Sequence, residues 1–306
     1  MLGEGNHTKR FFTLICVFQT FLLCGCTDIR TRNYAELLAI RQEDKLTANA
    51  KNISEDTWIS ADADTVSLLP DALEAEGGEQ LSFGHLRLLM LQGETLASAQ
   101  EFLSEGWIAP NCPLLLLPPS ENMKTVGDTE ISEKLLSAVE NGTLPSCSVG
   151  EIVGNLESRA GMAVLPYLQG EELRLALHDG ERLLAVLSEE ACRGAVLLNG
   201  RRKPMAFSEN GADTIEMQKC RAEIKVSEQD DQLTISVSLH VRSEHPQAAE
   251  AAVRAARAFF AETVQKYGAD TCFLEESARR NNITVPTKQA WRAMLRSARV
   301  EIAEIP

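Results

Sequence analysis

Several things are missing from this chain, and each absence removes a class of function. Its eight cysteines never form a Cys-x-x-Cys pair, and those beyond residue 26 (Cys112, Cys147, Cys192, Cys220 and Cys272) are widely separated, which excludes a dithiol redox motif and a zinc knuckle. There is no Gly-x-Ser-x-Gly, no P-loop and no Gly-x-Gly-x-x-Gly, so the local signatures of a serine hydrolase, a phosphate cradle and a dinucleotide fold are all absent. Gly150 and Gly154 have a suggestive spacing, but they lie in a helical context without the strand and turn such a motif needs. Aromatics are only 5% of the residues. Base is scarce as well: 30 Lys+Arg face 44 Asp+Glu for a net charge of −14, and the pI is near 4.9. That balance excludes a nucleic-acid partner, which needs a net basic face, and disfavours docking of the body directly on anionic lipid. No internal repeat and no low-complexity tract occurs. What remains, 44% hydrophobic and 24% charged residues, is ordinary globular composition.

The N-terminus carries an address. Lys9 and Arg10 precede an apolar run from Phe11 to Leu23, about 13 residues, which is too short for a ~30 Å hydrocarbon core and suits the apolar region of a secretory leader. The run ends in Leu23-Cys24-Gly25-Cys26, similar to the bacterial lipobox. Small residues admit the peptidase, and the thiol of Cys26 takes the diacylglycerol. Residues 1–25 are therefore expected to be a lipoprotein signal peptide, with Cys26 the lipidation site and the acyl chains the contact with the bilayer. The remaining five cysteines read as buried free thiols, with one distant disulfide left open in an oxidising compartment.

Residues 27–60 are polar and mixed and read as a tether into a first domain. Beyond them, a helix is expected over Asp62–Ala75 with Val66, Leu69 and Leu73 on one face and Gly77-Gly78 as its stop. Phe83–Leu91 reads as a buried strand, Thr95 as the cap of a helix to Ser104, and Leu114–Leu117 as a strand closed by Pro118-Pro119. A linker follows over Ser120–Thr125. The next block opens with a helix over Thr129–Val139. Ser148 and Glu151 have capping-box spacing, Met162–Leu168 is a strand, and Leu173, Leu175 and Leu177 alternate ahead of an Asp179-Gly180 hairpin turn that returns through Leu183–Leu187. Ser188 caps a helix to Leu197. From Pro204 a third block shows two long alternating runs, Cys220–Val226 and Leu233–Val241, about Asp230-Asp231. A helix follows from Pro246 to Tyr267, with Ala249, Val253, Ala256, Phe260 and Val264 as its apolar stripe and Gly268 beyond its end. Helices over Leu274–Arg280 and Lys288–Ser297 and a strand through Val300 and Ile302 complete it.

No residues converge on a reaction. His85 has no metal-binding or acid–base partner at suitable spacing and reads as a hydrogen-bonded strand histidine. His178, His240 and His245 read as surface or strand-edge residues. The doublets Glu171-Glu172, Glu189-Glu190 and Glu275-Glu276 invite comparison with glycosidase carboxylate pairs, but positions at or near helix starts account for two of them through the helix dipole. Arg201-Arg202-Lys203 and Arg279-Arg280 are small solubilising islands. No catalytic residue, cofactor or metal is expected.

Three features together resemble the Ger(x)C family of spore-germination lipoproteins. They are the lipobox, the segment Leu81-Ser82-Phe83-Gly84-His85-Leu86-Arg87-Leu88-Leu89-Met90-Leu91-Gln92-Gly93-Glu94-Thr95-Leu96-Ala97, and a C-terminal block in which Asp270 to Arg279, Trp291 and Val300 to Ile305 follow a long helix. A mid-chain hairpin leading into a Leu-Ser-x-Glu helix start, Arg182 to Glu190, adds a fourth. The chain departs from the family where Thr27-Asp28-Ile29-Arg30 replaces the usual Trp-Asp-Arg, and at Cys272-Phe273. The resemblance implies a divergent member: a non-enzymatic C subunit of a GerA-type nutrient germinant receptor, held on the extracytoplasmic face of the spore inner membrane with two integral-membrane subunits. The implied fold class is α+β, three mixed blocks with mainly antiparallel sheets: an N-terminal domain over 26–125, a middle domain over 126–203, and a C-terminal domain over 204–306 built as a long antiparallel hairpin packed on a helix. The competing reading is a free-standing extracytoplasmic solute-binding lipoprotein. Such a binder is expected to alternate strand and helix around a cleft, whereas the clearest strands here are hairpins. A cell-wall hydrolase is a third reading, without a visible nucleophile or acid pair.

Overall fold

The computed structural model describes residues 33–53, 56–93, 96–128, 130–199, 205–209, 213–229 and 232–305. The leader, Cys26, the Thr95 cap, Arg201-Arg202-Lys203 and Asp230-Asp231 lie outside the described residues. The architecture is α+β, as the sequence implies.

The segment expected to be a tether is instead folded from residue 33 onward. β1 (Asn33–Gln42) places Leu37, Leu38, Ala39 and Ile40 in the core, a continuous buried run of the kind a strand covered on both faces requires. β2 (Leu46–Asn52) pairs with it antiparallel, and β3 (Trp58–Ala63) pairs with β2. β2 escapes recognition because it is built of Ala and Asn, residues depleted in strands. Its Ala48 and Ala50 are buried, and its buried Asn49 accepts a hydrogen bond from the Ser60 hydroxyl at 2.8 Å. Because 58–63 is committed to this ladder, helix α1 (Leu69–Gly77) starts later than expected, after a 3₁₀ turn at Val66–Leu68. Val66, Leu69 and Leu73 do form its buried face, and Gly78 at φ 74° ends it.

Of the expected strand Phe83–Leu91 only the end is extended, as β5 (Leu88–Gln92); a two-residue strand β4 (Leu81–Ser82) precedes it, and both run parallel to β1. Arg87 pairs with Glu36 at 2.5 Å in the segment between them. Helix α2 (Ala97–Ser104) and the fully buried strand β6 (Leu114–Leu117) follow. The supposed linker holds helix α3 (Met123–Asp128). The Asn122 side chain accepts from the Lys124 and Thr125 N–H groups, and Met123 and Val126 are buried. Helix α4 (Ile131–Glu140) precedes α5 (Val149–Glu157), which opens on the expected reciprocal capping box of Ser148 and Glu151. β7 (Ala163–Gln169), β8 (Glu172–His178) and β9 (Leu183–Val186) form the expected meander, and Ser188 caps helix α6 (Glu189–Leu198).

Among the described residues these strands make one nine-stranded sheet in the order β3-β2-β1-β5-β6-β7-β8-β9, with β4 beside β1. Its centre, β1-β5-β6-β7, runs parallel; the meander legible in the sequence, β7-β8-β9, is one flank, and the unexpected β1-β2-β3 ladder is the other. Strands from both 26–125 and 126–203 therefore share a single sheet, joined through the Leu116–Tyr167 pair of β6 and β7.

The third block contains the ribbon β10 (Met205–Glu209) and β11 (Asp213–Met217) and the long hairpin β12 (Lys219–Gln229) and β13 (Gln232–Arg242). β14 (Arg299–Glu304) adds to β13 in parallel. Helix α7 (Ala248–Phe260) continues through a π-helical turn at Ala261–Gln265, and Gly268 at φ 73° follows. Its buried face is wider than the expected stripe. Ala252, Ala255, Ala256, Phe259 and Phe260 are buried while Val253 is half-buried, because α7 packs on α6 as well as on β13 and β14. Helices α8 (Leu274–Arg280) and α9 (Lys288–Ser297) lie where expected, and α9 is anchored by the fully buried Trp291.

Candidate functional site

The histidines and acidic doublets do not assemble a site. His85 sits in the segment between β4 and β5 rather than in a strand, exposed, with its ring edge-on to Tyr34 at 5.0 Å. His178, expected at the surface, is completely buried at the end of β8, and its Nδ1 accepts from the Gly180 N–H at 2.9 Å. This bond closes the Asp179-Gly180 turn, which makes His178 a structural residue. His240 is half-buried opposite Arg221, and His245 is exposed. Carboxylates in the doublets pair with arginines on their own elements: Glu189 and Glu190 with Arg193, Glu275 with Arg279, Glu276 with Arg280, and Glu172 with Arg174. Among the described residues no group of His, Cys, Asp or Glu is placed to hold a metal ion.

The five cysteines beyond residue 26 are free thiols, four buried as expected and Cys272 half-buried. Burial pushes Cys112 and Cys272 up to about 12 and Cys220 to about 11, and raises Cys192 as well. A nucleophilic cysteine needs the opposite shift.

The middle and C-terminal blocks meet in a polar and helical junction. The Ser188 N–H and hydroxyl both donate to the Glu262 carboxylate, the former at 2.9 Å. The Tyr267 hydroxyl donates to the Leu184 carbonyl at 3.1 Å. Arg292 reaches across to the carbonyls of Ala160 at 2.6 Å and Gly161 at 3.2 Å, and the Arg159 N–H donates to Glu275 at 3.0 Å. At the helix crossing Gly194 of α6 lies directly on the Ala255 backbone and the Phe259 side chain of α7.

Beside this crossing is a cleft of about 480 Å³. One wall comes from α5 and the loop before it, including Ser146, Gly154 and Asn155; the other comes from Asn199, Phe259 and the Thr271–Phe273 turn. Phe273 is in the left-handed region (φ 55°, ψ 38°) and 66% exposed, an arrangement that costs roughly 1–3 kcal/mol for a bulky residue. The turn is held by Asp270. Its buried carboxylate accepts from the Leu274 N–H at 2.6 Å and the Glu275 N–H at 2.7 Å, so it caps α8 in place of Phe273. Burial raises the Asp270 carboxyl above its ordinary value; the two N–H groups and the Trp291 side chain draw it partly back. The Thr271 hydroxyl is buried beside the Cys272 thiol, with which it interacts. Asn155 and Asn199 belong to no motif, while Thr271 and Phe273 fall inside the Asp270–Arg279 segment that carries part of the resemblance. The sequence also marks the capping box of α5 and the departure at Cys272-Phe273.

The chain is thus an α+β protein whose large mixed sheet and smaller hairpin sheet are locked together by paired helices. No family model and no curated protein sequence matches it. Among solved structures, the crystal structure of the GerBC protein matches with a TM-score of 0.52 at 12% identity, over 87% of this chain and 95% of that chain. The fold is that of GerBC, and the resemblance drawn from scattered motifs holds at the level of fold.

Proposed function

We propose that this chain is a non-enzymatic, lipid-anchored subunit of a spore nutrient germinant receptor, working on the extracytoplasmic face of the membrane with two integral-membrane subunits. The observation that carries the reading is the likeness to GerBC over 87% of this chain and 95% of that chain, found in a sequence that also carries Ger(x)C-like motifs. Among the described residues no helix is long and apolar enough to cross a membrane; in this reading the attachment is the diacylglyceryl group on Cys26, which supplies two acyl chains where one would hold only weakly. In this reading the blocks 26–125 and 126–203 act as one unit through their shared sheet, and 204–306 is the second.

A solute-binding lipoprotein is the second reading. The parallel β1-β5-β6-β7 core and the interblock cleft favour it, while the GerBC likeness favours the receptor. The two separate by experiment on the full chain, because removing residues 204–306 would uncover the α6 surface under α7 and confound any loss. Mass spectrometry is expected to find diacylglyceryl on Cys26, and Cys26→Ala to release the protein from membranes. Affinity purification from spore membranes is expected to recover two polytopic membrane proteins. Spores lacking the chain should lose their response to at least one nutrient; unchanged germination with every nutrient would sink the receptor reading.

A further inference from the structure

We propose that the cleft between α5, the end of α6 and the Thr271–Phe273 turn is a binding site for a small uncharged ring with an amide-type edge. Volume comes first. About 480 Å³ lies within the range of small-ligand pockets. Its lining contains no Lys, Arg or His, so nothing there compensates a phosphate or carboxylate. Its single carboxylate, Glu151, already accepts from the Ser148 N–H in the capping box at 3.3 Å, which leaves little to attract a cation. Neutral groups dominate instead. The side-chain amides of Asn155 and Asn199 each offer a donor and an acceptor side by side, the pattern that pairs with an amide edge in two bonds. The exposed ring of Phe273 supplies a face on which a planar ring stacks.

One further observation indicates that the cleft is built for an occupant. Phe273 is held in a left-handed conformation that a bulky side chain rarely adopts, yet it is mostly exposed and so gains little from packing. Backbone strain retained without packing in return is characteristic of ligand clamps. The inference stands apart from the receptor reading, since it concerns the isolated protein.

Gly154 makes the test clean. It is a helical residue lining the cleft, and a Cβ added there meets nothing within 4 Å, so Gly154→Leu fills the cleft while favouring the helix. The purified full-length protein would be titrated calorimetrically with uracil, a neutral cyclic amide, and with orotate, its carboxylate derivative. Saturable binding of uracil is expected, weakened at least tenfold by Gly154→Leu and by Asn155→Ala, with orotate at least tenfold weaker than uracil. Phe273→Gly should also weaken uracil tenfold and yet raise the melting temperature, because glycine relieves the φ strain; a purely structural Phe273 would lower it. No uracil binding up to its solubility limit, binding indifferent to Gly154→Leu, or orotate binding as well as uracil would each overturn the proposal.

Discussion

The same substitution, glycine to alanine, is expected to have opposite effects at Gly194 and Gly154, and the difference measures how α6 and α7 are packed. In a helix interior alanine gains about 0.8–1 kcal/mol over glycine. At Gly154 the new methyl group meets nothing within 4 Å, so the gain is realised and the protein should be stabilised by up to about 1 kcal/mol. At Gly194 the methyl would fall on the carbonyl oxygen of Ala255, 2.8 Å from its carbonyl carbon and 2.7 Å from the Phe259 Cβ. These are backbone atoms and the root of a side chain, so no rotamer change relieves the clash and the helices must separate. Overpacking of this kind costs about 1–3 kcal/mol, and more where backbone must move. With the propensity gain subtracted, Gly194→Ala should destabilise by about 2 kcal/mol, a gap of about 3 kcal/mol between the two variants. Urea denaturation of the full-length protein with unchanged m values would read this directly. If Gly194→Ala proves as stabilising as Gly154→Ala, the helices do not cross at this residue and the account of the junction is wrong.

Other expectations follow from burial and charge. Phe260→Asp should cost several kcal/mol, since it loses about 2–3 kcal/mol of apolar burial and leaves a carboxylate in the core; Val253→Asp, half-buried, should cost clearly less, and equal losses in thermal unfolding would contradict the placement of α7. Cys112 is buried and its thiol is pushed up to about 12, so its alkylation by iodoacetamide should be negligible until denaturant is added, and fast labelling of Cys112 in the native protein would count against the burial. Asp270 binds its proton more tightly folded than unfolded, so its contribution to stability is greatest below about pH 4 and declines as pH rises from there through the folded value. Asp270→Asn should remove that decline from a pH series of melting curves, and a wild-type and variant with the same slope would show that the carboxyl is not shifted.

Where signals are local, the sequence suffices. The capping box at Ser148 and Glu151, the Ser188 cap, the Asp179-Gly180 turn and the β12–β13 hairpin are each written within a few residues, because a cap or a tight turn is a contact between near neighbours in the chain. Acidic charge and the scatter of cysteines likewise need no structure. Tertiary contact decided the rest. β2 became a strand despite its Ala and Asn content because β1 and β3 flank it and bury its small residues. The parallel pairing of β1, β5, β6 and β7 joins segments separated by helices, and no residue pattern names a distant partner. His178 was buried by the turn it closes, and α7 widened its apolar face because α6 lay on it. The cleft follows the same rule: Asn155 and Asn199 are ordinary residues in sequence, and they join the Thr271–Phe273 turn only where the two blocks meet.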